Sequence, residues 1–592
     1  MNSKFGTFIA LAMTMAFSSQ AQWLTQSILI KPGWTAVFLH VDASQTNLDT
    51  LVGNDPSNPI TQIWLWQTAP TTQFATSPQS PVVPNSQWAV WARIGLGTSS
   101  TFNLLTPNSA YLVYSEAATN YTWQVKGKPA APQYNWTTAG LNFIGFPTVP
   151  ASPPMYDSFL SLAPTLQSLA QVFEYQGGNL GPTNPIQLFT YHTTPVTRGQ
   201  AVWIRSGTVF NSYFGPFTVA LQSSSGVSFG DSVSQYSFHL QNTCASNVTV
   251  SVRLLASETP PAGQTPIAAT PPLLVRGALN TGNLTYGYSG LPLGGVSTWA
   301  LAPQGQNGSD VVVVLGINRY SMNSGAGALF AGILQFTDSF GFTEVDIPVS
   351  AIESSTAGLW VGNASVTQVR NYLKNYLMDS NNTPVISSNG NYIITSINTN
   401  LGPVAKPFPL RLILHNNGTN VVLLQQVFFG LSPHSNSMIA TSQSLLDPAH
   451  LDTARRITAT HLPWSSANAP WPFKGQLAPG GALATTIDLA YDDQASNPFL
   501  HTYHPDHDNL DATFSTELAQ GYESYRITRQ ITLSVSPPAK DFASLTSASQ
   551  SLVGYYLETM SLGGLGGAER DFYVSGIFSL NRISTIPTLN QQ

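Results

Sequence analysis

Apolar and polar residues alternate with a period of two through long stretches of this chain. Tyr236, Phe238 and Leu240 form one run, and Val248, Val250, Val252 and Leu254 form the next. Successive side chains on a strand point to opposite faces, so the pattern buries one face of a sheet and wets the other. Turn signals punctuate the runs. Asp338-Ser339-Phe340-Gly341, Asn389-Gly390 and Asn417-Gly418 each separate two apolar segments, and the last is the dipeptide best suited to a type I′ turn. Only 8% of the residues are charged, against the usual quarter. The exposed faces are therefore built from Ser, Thr, Asn and Gln, which suit strand faces and turns better than solvated helices. Val369, Leu373 and Tyr376 stand at helical spacing and predict one short amphipathic helix. The expected fold class is all-β.

A chain of 592 residues exceeds one hydrophobic core, and tandem β domains are expected. The segment containing "KPGWTAVFLHVD", "ITQIWLWQ" and "SAYLVYSE" is echoed by "TAGLNFIGFPT", "LAQVFEYQ" and "GQAVWIRSG", with Trp34 matching Leu141 and Leu112 matching Trp203. This reads as an internal duplication, with β modules over 22–128 and 129–223. The Ser-rich stretch 221–232 reads as a linker. The alternating strands of 224–352 suggest an immunoglobulin-like sandwich. The remainder, 353–592, is expected to form a larger β sandwich of jelly-roll type.

The N-terminus orders a short basic region at Lys4, an apolar run from Phe5 to Phe17 and the small-x-small sequence Ser19-Gln20-Ala21. That order predicts a signal peptide over 1–21, with the apolar run too short to span a bilayer. The expected destination is extracellular or the cell surface, with no transmembrane segment in the mature chain. The net charge is −6 and no Lys/Arg cluster occurs, which argues against a nucleic-acid partner. A single cysteine, Cys244, excludes an intramolecular disulfide and reads as a turn or core residue.

The opening strand with "GLNFIGFPT" resembles the GWNLIGxP-type β modules of exported bacterial surface proteins. "GLWVGNASV", "HPDHDNLD" and "ETMSLGGLGG…VSGIFSLNRI" are similar to a C-terminal LWVG-type β domain in multi-domain secreted proteins of Verrucomicrobia-like bacteria, where it follows an immunoglobulin-like module. The resemblance implies surface or extracellular placement. It carries no catalytic residue set.

Three features compete as candidate sites. "HTYHPDHDNLD" brings together His501, His504, Asp506, His507, Asp508 and Asp511. Imidazole and carboxylate are ligands for Zn2+ and Ca2+ respectively, and Pro505 favours a loop over a helix. Asp also caps turns and His N–H groups satisfy backbone carbonyls, so the same stretch reads also as a hydrogen-bonded loop. Trp64, Trp66, Trp88, Trp91 and Trp123 form the second feature, a candidate platform for stacking on sugar rings, with core filling as the competing reading. Third, "GVSFG" matches G-x-S-x-G around Ser228, but it lacks the strand–turn–helix setting of a nucleophile elbow and reads as chance. The expected function is a structural or adhesive protein without catalytic activity. Its partners would be extracellular glycans or other surface proteins, and its low charge permits self-association. The alternatives are a carbohydrate-binding protein using exposed tryptophans and a metal-dependent hydrolase centred on 501–511.

Overall fold

The computed structural model describes residues 22–67, 77–81, 87–96, 98–133, 140–205, 213–398, 408–424, 430–431, 438–439, 471–491, 526–547, 550–563 and 568–589. The signal-peptide expectation over 1–21 lies outside them. The chain divides into two compact units between Glu353 and Ser354. Both are built almost entirely of strands, the all-β class expected from the alternation. Among the described residues no helix is long and apolar enough to cross a membrane.

Two four-stranded sheets of the first unit share one strand order. One four-stranded sheet runs, in space, Gly33–Leu39, Ser109–Ser115, Ile60–Trp66, Trp88–Ala92. The second runs Asn142–Ile144, Val202–Arg205, Gln171–Glu174, Ile186–Gln187, the same order. The registers match as well. Leu112 lies between Ala36 and Trp64, and Trp203 lies between Phe143 and Phe173. Trp34, two before Ala36, is then the counterpart of Leu141, two before Phe143.

The repeats are not separate domains. Ala36, Phe38, Trp64, Trp66 and Trp88 share one core with Phe143, Tyr175 and Trp203. Trp66 meets Trp203 edge to face, 4.9 Å between ring centroids, and Trp203 stacks on Phe143 at 4.6 Å. The opposite face of the first sheet is also covered. Val37, Leu39, Ile63 and Trp91 pack there with Trp123 of the three-stranded sheet Leu24–Ile30, Tyr121–Pro129, Val41–Asp42. A sheet buried on both faces needs apolar residues at consecutive positions, which explains runs such as "IWLW".

Residues 217–352 form two sheets of five and six strands that enclose a common core, a β sandwich. Phe238 and Phe336 meet edge to face across it at 5.7 Å. The stretch 221–232, expected as a linker, belongs to this sandwich. Val227 and Phe229 are buried, and Val227-Ser228 pairs in parallel with Val349-Ser350. Phe217–Ala220, placed by sequence in the second repeat, pairs with Gln235–Asn242. The Asp338–Gly341 turn forms as expected: Asp338 accepts the backbone N–H groups of Phe340, Phe342 and Thr343, and Gly341 takes φ +72°.

The second unit is a closed barrel. Its strands, in space and in sequence, are Gly358–Tyr376, Phe408–Asn416, Val421–Leu423, Trp471–Gly475, Ala482–Leu489, Arg526–Val535, Ser551–Gly563 and Ala568–Ser584. The last strand pairs with the first, from Leu359↔Ser584 to Asn375↔Ala568, and completes the ring. Neighbours in space are neighbours in sequence, so the sheet closes as an up-and-down barrel instead of splitting into the two faces of a jelly roll. The inward rows, including Trp360, Leu412, Phe473, Leu533, Tyr556 and Phe578, form one core. Gly362 belongs to the closing seam because a Cβ there would stand 1.8 Å from the carbonyl oxygen of Ser579. The expected short helix is absent, since Val369, Leu373 and Tyr376 lie in the first barrel strand. Asn389-Gly390 and Asn417-Gly418 both sit in turns. Gly418 alone of the second pair has positive φ, so that turn is a four-residue connection capped by the Asn417 side chain and not type I′.

In the first unit, Arg198 ties the second repeat to the sandwich. Its Nη1 donates to the Glu344 carbonyl at 2.5 Å, and its Nη2 to Asp346 Oδ2 at 2.7 Å. Burial, then the charge of Asp346, push the Glu344 carboxyl up to about 7, against the pull of Arg198. A raised folded-state value means that the folded chain holds this proton more tightly than the unfolded chain. The stability it contributes is therefore complete below about 4.5, the ordinary value, and is lost as pH rises through about 7. We expect the melting temperature of the wild type to fall relative to Glu344→Gln between pH 5 and pH 8. Parallel curves in thermal scans across that range would contradict this.

Candidate functional site

The barrel's outer face gathers polar, aromatic and charged side chains around a groove, and a register slip creates it. Before the slip, Trp360, Ala364 and Val366 of the first strand face the core. Between Val366 and Gln368 the pairing with the last strand shifts by one residue. Such a bulge inverts which side chains face out. After it, Gln368, Arg370, Tyr372 and Lys374 share the outer face with Ser575, Tyr573, Asp571 and Glu569 opposite them.

Two rungs then cross four strands. One runs Gln368, Ser575, Leu557, Thr532, and the next runs Arg370, Tyr573, Thr559, Gln530. With Ile397 from the flanking strand Ile394–Asn398, they line an open groove of about 740 Å³. Tyr372 and Tyr573 meet edge to face at 4.9 Å. In the amide orientation that satisfies both groups, Gln368 accepts from Arg370 Nε and Nη2, each at 3.0 Å. The lining thus combines aromatic edges with amides, hydroxyls and two cations.

One end of the groove holds an ionic cluster. Lys374 Nζ lies directly against Asp571 Oδ2 and 3.6 Å from Glu569 Oε1. Asp571 is fully buried, with Lys374, Glu569 and Tyr573 as its hydrogen-bonding neighbours. Burial first, then the like charge of Asp571, raise the Glu569 carboxyl above its ordinary range, against a hydrogen bond from Tyr376 and the charge of Lys374. Burial favours the neutral amine of Lys374, but Asp571 and Glu569 together outweigh it and hold its proton more firmly than usual.

A second polar group sits inside the barrel. Arg529 Nε donates to Glu558 Oε1, and Tyr556 Oη donates to Glu558 Oε2 at 2.5 Å. The guanidinium lies 5.3 Å from the Trp471 ring centroid. Burial and the Glu558 charge hold the Tyr556 hydroxyl protonated well above its usual range. These groups link the strands Trp471–Gly475, Arg526–Val535 and Ser551–Gly563, and Glu558 is also among the residues that line the groove.

The sequence candidates fare differently. Trp64, Trp66, Trp88, Trp91 and Trp123 are at most 7% exposed, so they fill cores and offer no platform to a sugar. Two-sided burial of their sheet overturns the exposed reading: Trp64, Trp66 and Trp88 face one core, and Trp91 and Trp123 the other. His501, His504, Asp506, His507, Asp508 and Asp511 lie outside the described residues. Among the described residues no group of three or more His, Cys, Asp and Glu is disposed to hold a metal ion. His415 is buried with Nε2 3.2 Å from the Ile586 carbonyl. Ser228 lies in a two-residue strand with no helix following, so G-x-S-x-G makes no elbow here. Cys244 is buried in the core of the first unit beside Asn242. The groove residues were missed because 369–376 reads as a helix. Their signal was charge: "VRNYLKNY" and "AERDFYV" are both charged segments in a charge-poor chain.

Removing Arg529 leaves Glu558 as an unpaired buried charge. Arg529→Met is expected to destabilise the barrel by about 3–5 kcal/mol, and adding Glu558→Leu to restore most of that loss. Denaturant unfolding of both variants checks this, and equal losses would refute it. Comparison with protein-family models and with curated proteins gives no match.

Proposed function

We propose that this chain is a secreted or cell-surface adhesive protein, a multi-domain β scaffold that presents a glycan-binding groove on its C-terminal barrel. The observation that carries the reading is the pair of rungs across the outer face. Tyr573 and Tyr372 offer ring edges, while Gln368, Gln530, Thr532, Thr559 and Ser575 offer neutral donors and acceptors in rows along the strands. Sugars are recognised by that combination, apolar contact with ring C–H groups and hydrogen bonds to the hydroxyls around them. An open groove takes a chain that continues at both ends. The leader-like N-terminus and the low share of charged residues support an extracellular setting.

The test is retention of the full chain on a panel of insoluble and immobilised polysaccharides. Tyr573→Ala and Gln530→Ala should each weaken retention about tenfold, the equivalent of 1.4 kcal/mol, with the melting temperature unchanged. Wild-type affinity in both variants, or no retention on any polysaccharide, would reject the groove as a glycan site.

A further inference from the structure

We infer that Lys374 and Asp571 become joined by an amide bond between their side chains, formed by the protein itself with Glu569 relaying protons. The inference stands apart from the glycan reading. Lys374 is on the first barrel strand and Asp571 on the last, displaced by one same-face position along the seam. Diagonal neighbours of that kind are within reach of a lysine side chain. Nζ lies directly against Oδ2, and the Asp571 side chain is fully buried. A fully buried carboxylate is costly unless its partners satisfy it, and Lys374 is the cation in direct contact with this one. A carboxyl group consumed in an amide carries no charge to satisfy.

The chemistry needs a neutral amine, a neutral acid and a group to move protons between them. Lys374 rests as the ammonium, its proton held by Asp571 and Glu569, so transfer of that proton within the contact must come first. Glu569, 3.6 Å from Nζ, supplies the relay, and the hydroxyl of Tyr376 hydrogen-bonds it. One proton passes from Nζ to the Asp571 carboxyl. The freed lone pair attacks Cγ. A second nitrogen proton passes through Glu569 to the hydroxyl on Cγ, which leaves as water. One C–N bond forms, one C–O bond breaks, no oxidant is required and Glu569 ends as it began. The product would bind the first strand covalently to the last in a chain whose single cysteine can form no internal disulfide.

Peptide mapping of the folded full-length protein by mass spectrometry decides the matter. The expected result is a branched peptide containing Lys374 and Asp571, lighter than its two parts by one water, with no tryptic cleavage after Lys374. Glu569→Gln should leave the two peptides separate, as should Asp571→Ala. Thermal melting of Glu569→Gln should then fall by roughly 10 °C, because the unfolded chain is no longer tethered across the seam. Separate, unmodified peptides from the wild-type protein would overturn the proposal whether or not any variant folds. A branched peptide that persists in Glu569→Gln would overturn the role given to Glu569.

Discussion

The C-terminal unit depends on one contact, the antiparallel pairing of Gly358–Tyr376 with Ala568–Ser584. An unpaired strand edge invites other chains, and proteins commonly guard it with lysine or proline. With 8% charged residues, this chain has few such guards to spend. Closing the eight-stranded ring removes the edges of those strands instead, with the short strand Ile394–Asn398 flanking the ring. The close approach at Gly362, which leaves no room for a Cβ, and the register slip after Val366 are both consequences of fitting a long first strand against a long last one. The slip turns polar and charged side chains outward, and the groove and the Lys374 cluster follow from it.

The N-terminal unit meets the same shortage of charge by layering. Its first four-stranded sheet is covered on both faces, by the second repeat on one side and the three-stranded sheet on the other. Tryptophan suits this position because one ring spans the gap between layers. The duplicated units therefore act as one body: the second repeat supplies the surface that the first must bury.

Much of this was legible in the alternation and the turn residues. The sandwich strands around Phe238 and Val250, the turns at Gly341, Gly390 and Gly418, and the match of Leu112 with Trp203 all follow from local pattern. What two repeats bury against each other does not, because a buried tryptophan and an exposed one are spelled alike. The failed helix has a specific cause. Val366 pairs with Gly576 and Val369 with Val574, so two steps along one strand take three along the other. A bulge thus converts a period of two into a local spacing of three, which mimics a helix. Once that segment is read as helix, Arg370 and Lys374 lose their partners across the seam, and Glu569 and Asp571 read as isolated charges.

Residue-resolved hydrogen exchange across the first barrel strand tests the closure directly. Successive amides of a strand point to alternate neighbours. With Phe408–Asn416 on one side and Ala568–Ser584 on the other, every amide from Val361 to Val366 should be strongly protected. Protection that alternates along the strand, slow at one residue and fast at the next, would mean that one side is open and that the barrel does not close.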